Sequence, residues 1–238
     1  MAVSSDRGGY VPRVSEPEHV SATRAVYDAT AETYAAWIGT ELSADIEGPI
    51  DLAFVASFVE LVPAGPVADV GCGPGRVAAF LAAQGVDVFG VDVSPAMVAI
   101  AREAHPAIRF EDGRLTGIPQ PDHSLAGVVC WYSIIHTPPD QLPAVFAELE
   151  RVLVPDGVVL VAFQAGDGVP VTRDGVYGTD LSLTNHRHSP DVVARLMAAA
   201  GLRIHARAER DPERDHESTP QAFLLARRAA ERATAPGL

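Results

Sequence analysis

Residues 67–76 read VADVGCGPGR, an apolar run that is followed at once by three glycines and a proline. Glycine and proline at this density favour neither helix nor strand, so the stretch predicts a buried strand that ends in a tight turn. In a glycine-rich turn between a strand and the following helix, no side chains cover the backbone N–H groups, so a ligand can approach them closely. We therefore expect a ligand to lie against this turn.

Strand and helix patterns alternate along the rest of the chain. Strands are predicted over 67–70, 86–92, 108–111, 125–131, 157–163, 202–210 and 221–228. Helices are predicted over 21–40, 49–62, 75–84, 95–104, 141–153 and between Ser189 and Gly201. This alternation is typical of an α/β fold in which helices cover both faces of a parallel sheet, and the last two strands can pair as a hairpin.

The connection over 164–191 departs from this alternation. It is longer than an ordinary link between a strand and a helix, so it predicts either a lid or an inserted subdomain.

Charge and composition narrow the classes of ligand. The 238 residues carry a net charge of −13, and no basic patch is evident in the sequence. Polyphosphates and anionic membrane surfaces would be repelled, so we expect a small-molecule partner and no nucleic acid. The chain contains no lysine, which excludes a Schiff-base lysine and a P-loop lysine.

Cys72 and Cys130 lie far apart and lack the neighbours that a disulfide framework or a zinc site needs. The N-terminal segment has no apolar region typical of a secretory signal, and no run is long enough to span a membrane. We therefore expect a cytoplasmic protein without a bound metal. The sequence leaves open whether it is a monomer or a homodimer.

The spacing of the glycines separates two ligand classes. A nicotinamide dinucleotide fingerprint needs a small residue at the position of Arg76. The chain instead reads D-x-G-x-G-x-G over 69–75, and VDVSPAMV follows at 91–98. These motifs resemble those of the class I S-adenosylmethionine-dependent methyltransferases. The resemblance extends over roughly residues 23–228 and is closest to the small-molecule branch that includes ubiquinone- and menaquinone-type enzymes.

The resemblance implies a fold and a domain organisation. The fold would be a Rossmann-like, seven-stranded, mostly parallel sheet with helices on both faces and an antiparallel C-terminal strand. Residues 1–48 would form an N-terminal helical cap, and residues 49–238 an S-adenosylmethionine-binding domain with a possible lid insertion at 164–191. The cofactor would be S-adenosylmethionine, with S-adenosylhomocysteine as its product.

The resemblance also implies cofactor-binding residues in the cap, the glycine turn and the ends of the next three strands. They are Tyr27, Tyr34, Asp69, Gly71, Cys72, Gly73, Gly75, Asp92, Val93, Met97, Asp112, Gly113, Cys130 and Trp131. Among these, Asp92 follows the turn by about 20 residues, where a carboxylate can accept both ribose hydroxyls.

A histidine after the fourth strand, His136, is the candidate catalytic base. At its ordinary pKa, near 6.5, an imidazole can accept a proton at neutral pH. His186 and His188 are further candidates. Two alternatives stay open, namely a catalytically inactive scaffold or regulator that binds the same cofactor and, with less support, an NAD-dependent dehydrogenase.

Overall fold

A computed structural model of the protein describes residues 16–229. The strands are β1 (Val67–Val70), β2 (Val88–Asp92), β3 (Arg109–Asp112), β4 (Leu125–Trp131), β5 (Leu153–Gln164), β6 (Pro170–Asp174), β7 (Ser182–His186), β8 (Leu202–Arg210) and β9 (Gln221–Arg228). The helices are α1 (Glu18–Ile38), α2 (Pro49–Leu61), α3 (Arg76–Ala83), α4 (Pro95–Ala104), α5 (Leu142–Val152) and α6 (Pro190–Ala199). The predicted alternation of strand and helix is confirmed.

Seven strands form one sheet in the order β3-β2-β1-β4-β5-β9-β8. Strands β1 to β5 pair in parallel, and β9 runs antiparallel to both of its neighbours, β5 and β8. This topology confirms the predicted seven-stranded, mostly parallel sheet with an antiparallel C-terminal strand. The chain reverses its direction of progress across the sheet between β1 and β4, and ligands of such sheets lie outside the carboxyl ends of the strands at that point.

Helices cover both faces of the sheet because its central strands are apolar on both sides. Phe58 of α2 and Leu81 of α3 pack on one face together with α4. Phe146 of α5 and Met197 of α6 pack on the other. All four side chains are fully buried. The core therefore holds the strand ends rigidly in place on either side of the glycine turn.

Helix α1 and the hairpin of β6 and β7 lie against each other. The ring centroids of Tyr34, on α1, and Tyr177, between β6 and β7, are 5.7 Å apart. The connection that the sequence predicts to be a lid or a subdomain thus contains a two-stranded hairpin, separate from the main sheet. The division of the chain at residue 48 stays a prediction, and residues 1–15 and 230–238 lie outside the described residues.

Strand β5 begins earlier than predicted. Leu153 pairs with Leu125 ahead of a bulge, so the strand starts directly where α5 ends. Within residues 16–229, no helix is both long and apolar enough to cross a lipid bilayer.

Candidate active site

The glycine turn between β1 and α3 has a left-handed backbone at each of its glycines. The φ angles are 76° at Gly71, 53° at Gly73 and 88° at Gly75. A Cβ on Gly71 would lie 2.2 Å from the Cβ of Ser133, and one on Gly75 would lie 2.9 Å from the ring of Phe110. A Cβ on Gly73 would meet no atom within 4 Å. Two of these glycines thus allow close packing, whereas Gly73 faces open space.

Asp92, at the end of β2, holds the turn in place. Its Oδ2 accepts a hydrogen bond from the amide of Gly73 at 2.8 Å, and its Oδ1 accepts one from the amide of Ser94 at 2.9 Å. Burial raises the pKa of Asp92, while these amides lower it. A carboxylate has room for about four hydrogen bonds, so Asp92 keeps acceptor capacity toward the adjoining cavity.

A first cavity of about 160 Å³ lies between the turn, α1 and the ends of β2 and β4. Many of the residues predicted from the sequence line it together: Tyr27, Tyr34, Gly71, Gly73, Asp92, Val93, Met97, Gly113, Trp131 and His136. His19, Thr23 and Arg114 also line it and were not predicted.

Five predicted residues lie elsewhere. Asp69 and Cys72 line a second cavity. Gly75, Asp112 and Cys130 line neither cavity, since Asp112 is exposed at the end of β3 and Cys130 is fully buried in the core. Their contacts with a cofactor stay predictions.

The second cavity is larger, about 530 Å³, and adjoins the first. It extends from the strand ends to the β6–β7 hairpin and the loop between β8 and β9. The residues that line both cavities are Tyr27, Tyr34, Gly71, Gly73, Trp131, Tyr132 and Ile135. Two adjoining cavities with a shared wall can hold two ligands in contact.

Unsatisfied polar atoms gather near this shared wall. Oδ1 of Asp69, Nε1 of Trp131 and Oγ of Ser133 are buried and have no hydrogen-bond partner among residues 16–229. The other oxygen of Asp69 accepts a bond from the amide of Ala78 at 3.1 Å, and burial raises the pKa of Asp69 to about 7. Buried polar atoms are nearly always paired in folded proteins, so this group fits a polar ligand that supplies the missing partners.

The imidazole of His136 joins two segments of the chain. Its Nδ1 lies 3.3 Å from the carbonyl oxygen of Thr184, and its Nε2 lies 2.9 Å from the hydroxyl oxygen of Tyr27. A carbonyl only accepts hydrogen bonds, so we assign the ring proton to Nδ1, which leaves Nε2 to accept the proton of the Tyr27 hydroxyl. Burial lowers the pKa of His136 to about 4. The expectation of an ordinary imidazole pKa is therefore wrong, because that expectation took no account of desolvation.

His186 and His188 line neither cavity. Nε2 of His188 lies 3.1 Å from the carbonyl oxygen of Ile134, and the rings of the two histidines are stacked with centroids 6.0 Å apart. Both are buried. Of the three histidines predicted as candidate bases, only His136 lines one of the two cavities, the first.

Two polar residues of α1 fasten this helix to the rim of the first cavity. Arg24 donates through Nε to the carbonyl oxygen of Val93 at 2.9 Å, and Oδ1 of Asp28 accepts from the hydroxyl of Ser94 at 2.6 Å. Neither Arg24 nor Asp28 was predicted. The only signal in the sequence is their place beside the helix face that carries Tyr27.

Buried ion pairs form the floor of the second cavity. Nη2 of Arg76 lies 2.5 Å from Oε1 of Glu47. Arg210 bridges Asp51 and Glu217, with one contact of 2.6 Å to each. Each of these three acidic side chains is thus paired with one of two arginines. Arg76, the residue that departs from the dinucleotide fingerprint, has Glu47 as its partner.

Residues 67–157 match the family described as "Methyltransferase domain". A malonyl-acyl-carrier-protein O-methyltransferase from Pectobacterium atrosepticum is 33% identical over 96 residues, which cover 40% of this chain and 37% of that protein. A demethylmenaquinone methyltransferase from Chlorobaculum parvum is 34% identical over 96 residues, 40% of this chain and 39% of that protein. The chain spans about two fifths of the length of these curated relatives.

The similarity to solved structures extends over most of the chain. Magnesium protoporphyrin IX methyltransferase from Synechocystis PCC 6803, solved with bound S-adenosylmethionine, has a TM-score of 0.66 and 17% sequence identity. The match covers 90% of this chain and 99% of that one. The match confirms the Rossmann-like fold. Over the part of the chain that they match, the family and the curated relatives agree with the class that the sequence motifs resemble.

Proposed function

The chain carries a methyltransferase domain of the S-adenosylmethionine-dependent class, and on this premise we propose that it methylates a small-molecule acceptor. The observation that carries the proposal is the open position at Gly73, beside an Asp92 carboxylate with acceptor capacity to spare. A ligand can approach the backbone there, and a carboxylate next to it suits the two hydroxyls of a ribose.

The described residues fit S-adenosylmethionine in the first cavity. Asp92 would accept its ribose hydroxyls, and Met97 and Gly113, which line the same cavity, would contact the adenine. The unsatisfied atoms of Trp131 and Ser133, which line the first cavity, offer donors for the carboxylate of the methionine part. The unsatisfied oxygen of Asp69, which lines the adjoining second cavity, offers an acceptor for its amino group, so the methionine part would lie at the shared wall. When bound, this cofactor supplies a methyl group whose bond to the sulfonium sulfur breaks, with its electron pair kept by sulfur, as the acceptor nucleophile bonds to the carbon.

The acceptor would occupy the second cavity and meet the methyl group at the shared wall. There the hydroxyl of Tyr27 is the group best placed to take a proton from an acceptor hydroxyl or amine, because it passes its own proton on to Nε2 of His136. For a hydroxyl acceptor a weak base suffices for this step, since an oxygen that gains a methyl group while it still carries its proton is a strongly acidic oxonium. Tyr27 is thus the catalytic residue of the proposal, and His136 acts through it.

Helix α1 and the β6–β7 hairpin would exclude water from the reacting atoms. Tyr27 and Tyr34 of α1 line both cavities, and Tyr177 of the hairpin connection packs on Tyr34. By excluding water, these residues would leave the positioned acceptor as the nucleophile closest to the methyl group.

The binding test uses calorimetry with S-adenosylmethionine, S-adenosylhomocysteine and NAD. Gly73→Val should abolish cofactor binding because its side chain fills the open position. Gly85→Val is the matched control, since Gly85 also has a positive φ, of 82°, and open space around its Cβ position but lies outside both cavities. Binding of NAD without S-adenosylhomocysteine would overturn the proposal in favour of a dehydrogenase.

The activity test is a screen of small-molecule acceptors that records S-adenosylhomocysteine release. Release that depends on an acceptor and is lost in Gly73→Val supports a methyltransferase. Tight cofactor binding with no release from any acceptor would favour the inactive scaffold instead.

A further inference from the structure

The second cavity has an aromatic wall. Trp37, Tyr34, Tyr177, Trp131 and Tyr132 all line it. Trp37 is 47% exposed at the mouth of the cavity, although such a large apolar side chain would ordinarily be buried. Aromatic side chains in contact with one another offer faces and edges on which a planar ring can pack. The cavity therefore suits a flat, unsaturated ligand.

The β6–β7 hairpin presents one of its faces to this cavity. In its register, Arg173 pairs with Leu183 and Val171 pairs with Asn185, so these side chains alternate with those of the outward-facing threonines. Arg173, Leu183 and Asn185 line the cavity, and Oδ1 of Asn185 is buried without a partner among residues 16–229.

Arg173 differs from the other arginine that lines this cavity. Arg76 is paired with Glu47, and the remaining acids of the floor, Asp51 and Glu217, are paired with Arg210. Arg173 is an exposed residue at the edge of the cavity and forms no ion pair with any of the described residues. A guanidinium without a counter-ion on the wall of a cavity is a site for a carboxylate, which it can hold through two hydrogen bonds.

We propose that the acceptor is a planar aromatic compound with a carboxylate, that Arg173 binds this carboxylate, and that a separate ring hydroxyl or amine receives the methyl group. The inference rests on the proposed function. The carboxylate and the methylated group of the acceptor must be separate, because Arg173 lines only the second cavity, whereas Tyr27 lines both cavities. A carboxylate held by Arg173 leaves the opposite end of the ring to reach the shared wall.

The test measures binding to protein saturated with S-adenosylhomocysteine. The probes are hydroxylated and aminated benzoates and naphthoates, each compared with its uncharged carboxamide. We expect a carboxylate to bind at least tenfold more tightly than its carboxamide, and Arg173→Gln to abolish this preference. Arg203→Gln removes the same charge from an exposed position on β8 and should leave the preference intact.

The outcomes separate the two proposals. If S-adenosylhomocysteine binds but no carboxylate is preferred, or if Arg173→Gln keeps the preference, the inference is wrong and the methyltransferase proposal stands. If S-adenosylhomocysteine does not bind, the methyltransferase proposal itself fails. Among probes that react, a methyl ether or methylamine supports the inference, whereas a methyl ester contradicts it, because the carboxylate would then be the methylated group.

Discussion

The hydroxyl oxygen of Tyr27 lies 2.9 Å from Nε2 of His136, and the rings of the two residues meet edge to face with centroids 5.4 Å apart. The same imidazole reaches the carbonyl oxygen of Thr184 on β7. One side chain thus connects the N-terminal helix, the turn after β4 and the hairpin that lies over the second cavity. An acceptor bound at the shared wall would therefore contact the Tyr27 hydroxyl, which is hydrogen-bonded to His136.

Substitution of either member of the pair should slow turnover and spare cofactor binding. Once an acceptor is known, we expect Tyr27→Phe and His136→Ala each to lower kcat by about 10²- to 10⁴-fold, the usual effect of losing a general base. S-adenosylmethionine affinity, measured by calorimetry, should change little in Tyr27→Phe because the ring remains. His205→Ala, at an exposed position on β8, is the control. Turnover within a few-fold of the original would show that neither residue takes the proton.

The pH profile should report the lowered pKa of His136. A base with a pKa of about 4 is already deprotonated at pH 6, so kcat should be flat from neutral pH down to about pH 5 and fall below it. An acid limb centred near 6.5 would contradict the burial of this imidazole. The limb should disappear in His136→Ala.

The lowered pKa of His136 also makes the free energy of unfolding depend on pH. The folded state binds the His136 proton more weakly than the unfolded state does, so stability is fully present above the unfolded pKa near 6.5 and declines as the pH falls toward 4. Burial also lowers the pKa values of His19, His186 and His188, which act in the same direction, whereas the raised pKa values of Asp69 and Asp92 act in the opposite direction. The contribution of His136 is therefore measured as the difference in pH dependence between the original protein and His136→Ala. Urea unfolding at each pH would separate this loss from a loss of activity.

Most of the fold could be predicted because its signals are local. The glycine turn at 71–75 needs left-handed backbone, and the buried strands before and after it are short apolar runs. Ser94 accepts a hydrogen bond from the amide of Met97 and is followed by proline, so the start of α4 is encoded within four residues. Such features require no knowledge of the rest of the chain.

The parts that the sequence did not predict depend on contacts between distant segments. The β6–β7 hairpin has short strands, of which β6 is largely exposed and β7 largely covered, and its connection packs on α1. Tyr132 has a φ of 56°, an unusual value for an aromatic residue, where the chain leaves β4 at the wall of both cavities. The pKa of His136 is set by burial beneath two other segments. None of these properties follows from neighbouring residues.

Buried and exposed arginines should differ strongly in their effect on stability. Arg210→Ala leaves the buried Asp51 and the half-buried Glu217 without their ion-pair partner and should lower the free energy of unfolding by about 3–5 kcal/mol. Arg207→Ala removes exposed pairs and should cost less than about 1 kcal/mol. Urea denaturation of both variants tests this. Equal effects would mean that the buried network is already hydrated.

The hydrogen bond between Asp28 of α1 and Ser94 should increase the affinity for the cofactor, although neither residue lines a cavity. Asp28→Ala removes the acceptor of the Ser94 hydroxyl, and we expect it to weaken S-adenosylmethionine binding by about tenfold, as for loss of one hydrogen bond to a charged group. Glu32→Ala, at an exposed position on the same helix, should leave the affinity unchanged. Equal affinities in the two variants would show that the helix does not need this bond to cover the site.

Hydrogen exchange should detect closure of the helix and the hairpin over the ligands. The hairpin packs on α1 through Tyr177 and Tyr34, and both elements line the second cavity, so an acceptor placed there would contact them at once. We expect S-adenosylhomocysteine together with an acceptor to slow amide exchange over 18–38 and 170–186.

The β8–β9 pair provides the internal reference for that experiment. Its strands are hydrogen-bonded into the main sheet over 202–210 and 221–228. Their exchange therefore reports the stability of the sheet and not that of α1 and the β6–β7 hairpin. Slower exchange confined to the helix and the hairpin would identify them as a lid. Slower exchange everywhere would reflect general stabilisation by ligand binding, since any ligand of the folded state lowers the population of all open forms. Unchanged exchange over 18–38 and 170–186 in the ternary complex would mean that water is excluded by the fixed walls of the cavities alone.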